Sequence, residues 1–298
     1  MRGLSRSFSI WFSGEEGVMI TWIRCYISIL AQSLSDIACR RRNLFFVSAG
    51  LLAAFVLFFV VLRIGDREDQ NSIFGIVFAI VWLQLLVPIT AIYFSAALLR
   101  EEISNRTIVY MLSGPVPRSS IWLAKYSVSV IASWVIVLGA LLLVVVAFQV
   151  VPLPIVMGAG DWELEGSTFQ ACMGVAFVAP FAYAAIGTLL AIRFRRAILW
   201  GLGFFIVWES FVGSVPMQSG LRSFTIVDSL RTLLYHGTPG VEGLHEMLFE
   251  WSTGNVFGLE LPSALDARWT LFYFTVIPLA LTLWMGRSRD FESGAKDE

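Results

Sequence analysis

Six stretches of this chain are apolar for about the length a helix needs to cross a bilayer, and that repetition limits its fold more than any other feature. A hydrocarbon core of about 30 Å takes roughly 20 mostly apolar residues, because in lipid a segment must satisfy its own backbone N–H and C=O groups. Residues 43–64, 72–99, 126–151, 169–192, 197–215 and 269–285 meet that test. The second and third are long enough to tilt or project, and the last two are near the minimum. Composition agrees, since 57% of the 298 residues are hydrophobic and 14% charged, with a mean hydropathy of +0.75. A water-soluble domain carries about a quarter charged residues. The sequence therefore predicts an all-α polytopic membrane protein. Its parts are a leader and surface helix at 1–42, one six-span domain at 43–285 and a tail at 286–298.

Lys and Arg are retained on the cytoplasmic side. With the N-terminus inside, the 21 basic residues all fall there except Arg63, Arg67, Arg222, Arg231 and Arg268. The loop 152–168 faces outward with Asp161, Glu163 and Glu165 and no basic residue. Both termini are expected in the cytoplasm, the membrane being a plasma membrane, the inner one in a bacterium. The first 18 residues hold Arg2 and Arg6 but no apolar core ahead of a cleavage site, so no cleaved signal is expected. Met19 opens a more regular segment and is an alternative start.

In segment 17–42, Ile23, Ile27, Leu30, Leu34 and Ile37 recur at spacings of four and three while Arg24, Ser28, Ser33, Ser35 and Asp36 lie elsewhere. That pattern predicts a helix along the inner surface, with Arg40, Arg41 and Arg42 at anionic lipid headgroups. The outer loop 216–268 has apolar pieces at 226–235 and 246–251, too short to span and expected as short helices resting in the outer interface. Gly237, Pro239, Gly240 and Gly243 divide them.

Chemistry-bearing residues are few. The net charge of −1 lacks the basic face a nucleic acid demands. Cys25, Cys39 and Cys172 have no paired spacing for zinc or a disulfide. His236 and His245 both lie in the outer loop, and His245-Glu246 lacks the second histidine of a helical zinc site. Ser210 and Ser214 have no base nearby in sequence and suit helix packing. A phosphate-binding loop ends Gly-Lys-Ser/Thr, but Lys125 precedes Tyr126 and Lys296 precedes Asp297, so neither lysine completes one. No catalytic residue, metal or cofactor is expected in this chain. Within the spans Glu209 is the one clear acidic residue. A charge there costs about 2.5–3.5 kcal/mol and ordinarily faces a bundle interior or cavity. Glu209 is the first candidate for a transport path, the alternative being a carboxylate held by hydrogen bonds. Gln84, Gln149 and Gln170 are softer candidates, and Pro88 and Pro180 are expected to kink the second and fourth spans.

Between the second and third spans runs R-E-E-I-S-N-R-T-I-V-Y-M-L-S-G-P-V-P-R-S-S-I-W-L-A-K, residues 100–125. Glu101 and Glu102 are expected to open a short helix with Ile103, Ile108, Met111 and Leu112 on one face, ended by Gly114-Pro115. Ser119 or Ser120 is expected to cap the next helix. The stretch resembles the coupling-helix signature of ABC type-2 permeases, the membrane subunits of ATP-binding-cassette exporters. The matching positions are Glu101, Arg106-Thr107, Met111-Leu112-Ser113, Pro115-Val116-Pro117-Arg118 and Lys125, with Ala124 where glycine is common. The surface helix ending in Arg40–Arg42 resembles the family's elbow helix, and the loop before the last span its re-entrant segment.

The resemblance implies a permease subunit that pairs with itself or a related chain and with two cytoplasmic ATPases, which bind the ATP and magnesium. Glu101, Glu102, Arg106, Thr107, Leu112, Gly114, Pro115 and Arg118 would carry the ATPase contact. A gradient-driven transporter or channel using Glu209, or a membrane scaffold acting through loop 216–268, would leave that loop unexplained.

Overall fold

The computed structural model describes residues 15–38, 70–104, 118–150, 166–213, 224–253 and 262–288, with 43, 45, 47–50, 52, 55 and 56. Everything described is helix or short connection, without a strand among the described residues. The helices are α1 (Glu15–Ala38); α2, which runs Gln70–Val77, continues as π turns through Phe78–Leu86 and resumes as Val87–Ser104; α3 (Arg118–Val150); and α4 (Gly166–Arg193). Then come α5 (Ala197–Phe204, with π turns through Phe205–Val212), α6 (Ile226–Gly237), α7 (Glu242–Thr253) and α8 (Ala264–Ser288).

Among the described residues four helices are long and apolar enough to cross a membrane: Asn71–Ser104, Arg118–Val146, Gly166–Arg193 and Ala264–Arg287. Ala197–Val212 is apolar but shorter. Most of the expected first span lies outside the described residues; its described part is helical, and Gly50 lies so close to α3 that a Cβ there would press on Ile136 Cγ2.

Helix ends differ from the sequence reading in one consequential way. Glu101 and Glu102 fall in the last turn of α2 instead of opening a new helix. Nothing between Leu99 and Ser104 stops the ladder, so the span continues into polar sequence. α3 begins at Arg118, which puts Ser119 and Ser120 inside its first turn.

The bundle is closed by small residues. α2 and α4 pack tightly where Gly187 meets Ser95 and Ile92; a Cβ on Gly187 would overlap Ser95 Oγ and lie 3.2 Å from Ile92 Cα. Such backbone proximity is how membrane helices gain packing without a hydrophobic drive between them. Pro88 and Pro180 are both buried in helices. Pro88 cannot bond the Gln84 carbonyl and its ring crowds that group; the widened π turns lie just before it. Around Pro180, α3 supplies two side-chain donors, Trp134 Nε1 to Phe177 O at 2.8 Å and Tyr126 OH to Phe181 O at 3.1 Å.

α6 does not rest on a surface as expected, whereas α7, among its described residues, buries only Leu244 and Leu248 and exposes Glu246, Phe249 and Glu250. Ile226, Val227, Leu230 and Leu234 of α6 are buried, and so are Asp228, Ser229, Arg231 and Thr232. α6 packs on α4, α8 and the π turns of α2, while α7 lies along Gln70–Val77. A helix of mixed composition is buried where its polar side also finds partners, and in α6 Ser229 donates to Thr225 O and Arg231 to Gln84 Oε1.

One end of the bundle gathers basic residues. Arg100 Nε donates to Arg195 O at 2.7 Å, joining the end of α2 to the α4–α5 turn. Arg118 donates to Arg287 O at 3.0 Å, joining the start of α3 to the end of α8. Arg193, Arg195 and Arg196 occupy the same turn, and Arg193 complements the C-terminal dipole of α4.

Candidate functional site

Two polar assemblies stand out from an otherwise apolar interior. The deeper one is built on π-helical turns, which recur at functional sites because the extra residue per turn re-aims side chains. Glu209 lies in the π turns of α5 and is 1% exposed. Its Oε1 accepts from Ile226 N at 3.2 Å and its Oε2 from Val227 N at 2.9 Å. Tyr183 of α4 adds its hydroxyl at 3.4 Å. The carboxylate thus satisfies two of the four amides that the start of α6 leaves without helical partners, where the helix dipole favours negative charge. Thr225, the N-cap residue, takes a third, accepting from Asp228 N at 3.3 Å.

One turn into α6, Arg231 is 4% exposed and donates to Gln84 Oε1 at 3.0 Å. Gln84 stands in the π turns of α2. The guanidinium also lies within electrostatic reach of Glu209 and Tyr183. A carboxylate and a guanidinium buried in one network offset part of each other's desolvation, which neither could bear alone in a membrane interior. The network joins α2, α4 and α5 through α6.

The sequence reading named Glu209 and Gln84 separately, and Arg231 brings them together. It missed Arg231 and Tyr183. Arg231 sits in a segment too short to span and was counted with the outer loop; the signal available was its position among Ile226, Val227, Leu230 and Leu234, which mark a helix with strong apolar anchoring. Gln170 is exposed near the start of α4. Gln149 lies in the last turn of α3, with its side chain outside the described residues.

The second assembly lies at the basic end. Lys125, 1% exposed in α3, donates to Glu102 Oε1 at the end of α2 and to Ser33 Oγ of α1 at 2.6 Å. Tyr26 OH of α1 donates to Ser127 Oγ at 2.7 Å. Ser33, which the sequence pattern puts on the polar side of α1, is buried, and Ile27, from the apolar stripe, is 56% exposed. The buried ammonium needs an oxygen partner, and Ser33 supplies one from α1. Of the expected ATPase-contact residues, Glu101, Glu102 and Arg118 flank the gap between α2 and α3; Arg106, Thr107, Leu112, Gly114 and Pro115 lie outside the described residues.

A family model described as ABC-2 family transporter protein matches residues 39–211, from just before the first expected span through the π turns that carry Glu209. No curated protein matches the chain.

Proposed function

The chain belongs to the ABC-2 transporter family, whose members are membrane permeases of ABC transporters, and from that premise we propose that it is the six-span permease subunit of an exporter driven by a separate ATPase. The observation that carries this reading is the family match across 39–211 together with the position of the coupling-like loop. That loop joins α2 to α3 at the end where Arg100, Arg118, Arg193, Arg195 and Arg196 collect, the end the positive-inside rule assigns to the cytoplasm. In this reading ATP-binding-cassette subunits bind ATP and magnesium and push on residues 101–118. α1 serves as the elbow helix in the inner leaflet, and α6 with α7 forms the re-entrant segment. Two such chains, identical or related, enclose the path.

Reversing charge at Glu102 would set a second ammonium against buried Lys125 and damage the fold, so the test uses Glu101→Lys with Arg106→Asp. The doubly substituted chain is expected to fold, judged by an unchanged elution profile in detergent, and to lose co-purification with its ATPase. Retained co-purification would show that the ATPase docks elsewhere.

A gradient-driven reading has one observation in its favour, the buried Glu209–Arg231 network. Both carboxylate oxygens of Glu209 are taken by backbone amides, however, which suits a structural tie better than a proton carrier.

A further inference from the structure

Three elements meet at a single amine. Lys125 Nζ reaches Ser33 Oγ on α1 and Glu102 Oε1 in the last turn of α2, while its own backbone belongs to α3. Seven residues before Ser33, Tyr26 makes the second tie between α1 and α3. The chain between Glu102 and Lys125 is the loop assigned above to the ATPase. The ion pair therefore closes that loop at its base, and separating the two feet would leave a buried charge uncompensated. A lysine suits the position because a compact ammonium on a four-carbon stem offers three donors that can serve partners on different helices. The only other lysine of the chain is Lys296, close to its end.

From this geometry we infer that Lys125 is a positioning residue for force transmission, making α1 move as one body with the two feet of the ATPase-contact loop. The inference rests on the ATPase reading. A push on residues 105–117 then reaches α1, and with it the start of the first span, at the same time as it reaches α2 and α3. Without Lys125 the loop still docks, but the stroke reaches α1 only through the Tyr26–Ser127 tie and α1 lags behind α2 and α3.

Paired spin labels at Ala31→Cys on α1 and Ser104→Cys at the end of α2, both exposed sites, test this in a chain whose Cys25, Cys39 and Cys172 are replaced. The labelled chain is studied in complex with the ATPase that co-purifies with it, with and without ATP and magnesium. In the wild-type background the inter-label distance is expected to stay single and narrow in both conditions. Lys125→Met is expected to keep that distance without nucleotide and to lose the single narrow distribution once ATP is added, with Lys125→Arg restoring it in part. Ser33→Ala, which cuts only the α1 arm and spares the ion pair, should behave as Lys125→Met does and decides the matter alone if the latter fails to fold. The proposal is overturned if the variants keep a narrow distance with ATP, if they broaden already without it, as for a purely structural tie, or if the wild-type helices separate. An ATPase that does not co-purify with the wild-type chain would instead strike the ATPase reading, and this inference with it.

Discussion

Both oxygens of Glu209 are engaged by the first turn of α6, and that fixes what its loss should do. Glu209→Ala leaves the amides of Ile226 and Val227 buried without acceptors, at about 1–3 kcal/mol each. Glu209→Gln keeps one carbonyl oxygen and gives up the charge, so its cost should be about 1–2 kcal/mol. Thermal unfolding in detergent should therefore rank the two variants, at about 2–4 °C per kcal/mol for a chain of this size; equal shifts would mean that the cap does not hold α6. Arg231→Met removes both the hydrogen bond to Gln84 and the cation within electrostatic reach of Glu209, and should cost more than Gln84→Leu, which removes the hydrogen bond alone. A double-mutant cycle between these two should show a coupling of about 0.6 kcal/mol and no more than about 1.7, the mean and maximum for hydrogen bonds inside membrane bundles. At this scale the sequence exposes a carboxylate inside an apolar run, since any charge there violates the pattern. It hides Arg231, because an arginine in a short loop segment violates nothing until the segment folds inward.

The spans were legible as elements because twenty apolar residues in a row have few other solutions, and α3, α4 and α8 contain the expected ranges 169–192 and 269–285 in full and nearly all of 126–151. Their ends were not, since helix termination depends on what a polar turn meets; Glu102, in the extension of α2 beyond its apolar run, meets Lys125. The π turns were equally hidden, being a property of register and not of composition, although Pro88 marks one of them. Helix α6 shows the limit of periodicity, which identifies an amphipathic helix without saying what its polar side faces. Close helix contact gives a direct test. Gly187→Val would drive a side chain into Ser95 and the α2 backbone and should cost about 1–3 kcal/mol or more. Gly174→Leu, where an added Cβ meets nothing within 4 Å, should be neutral to within about 0.5 kcal/mol or mildly stabilising. Comparable melting losses for the two would place the α2–α4 seam elsewhere.

Taken as a whole, the molecule is a bundle with one basic end, an apolar circumference and a buried polar tie nearer its centre. α8 shows the circumference most plainly, since Trp269 and Tyr273 near its start and Trp284 near its end are all exposed. Trp269 and Trp284 are about 22 Å apart along the helix, a spacing that fits aromatic side chains at the two edges of the hydrocarbon layer. The turn between α6 and α7 belongs to the end opposite the arginines, because Gly243 packs against Ser72 at the start of α2 and Ser104 closes α2 about 48 Å away. That separation makes orientation measurable on one molecule. In a background without native cysteines, Ser104→Cys and Pro239→Cys put thiols at exposed sites on opposite ends. A membrane-impermeant maleimide added to intact cells should label Pro239→Cys at once and Ser104→Cys only after permeabilisation, as the clustering of Arg100, Arg118, Arg193, Arg195 and Arg196 beside Ser104 requires. The reverse pattern would put the α2–α3 loop on the outside, beyond reach of any cytoplasmic ATPase, and would leave the Lys125 junction with no force to carry.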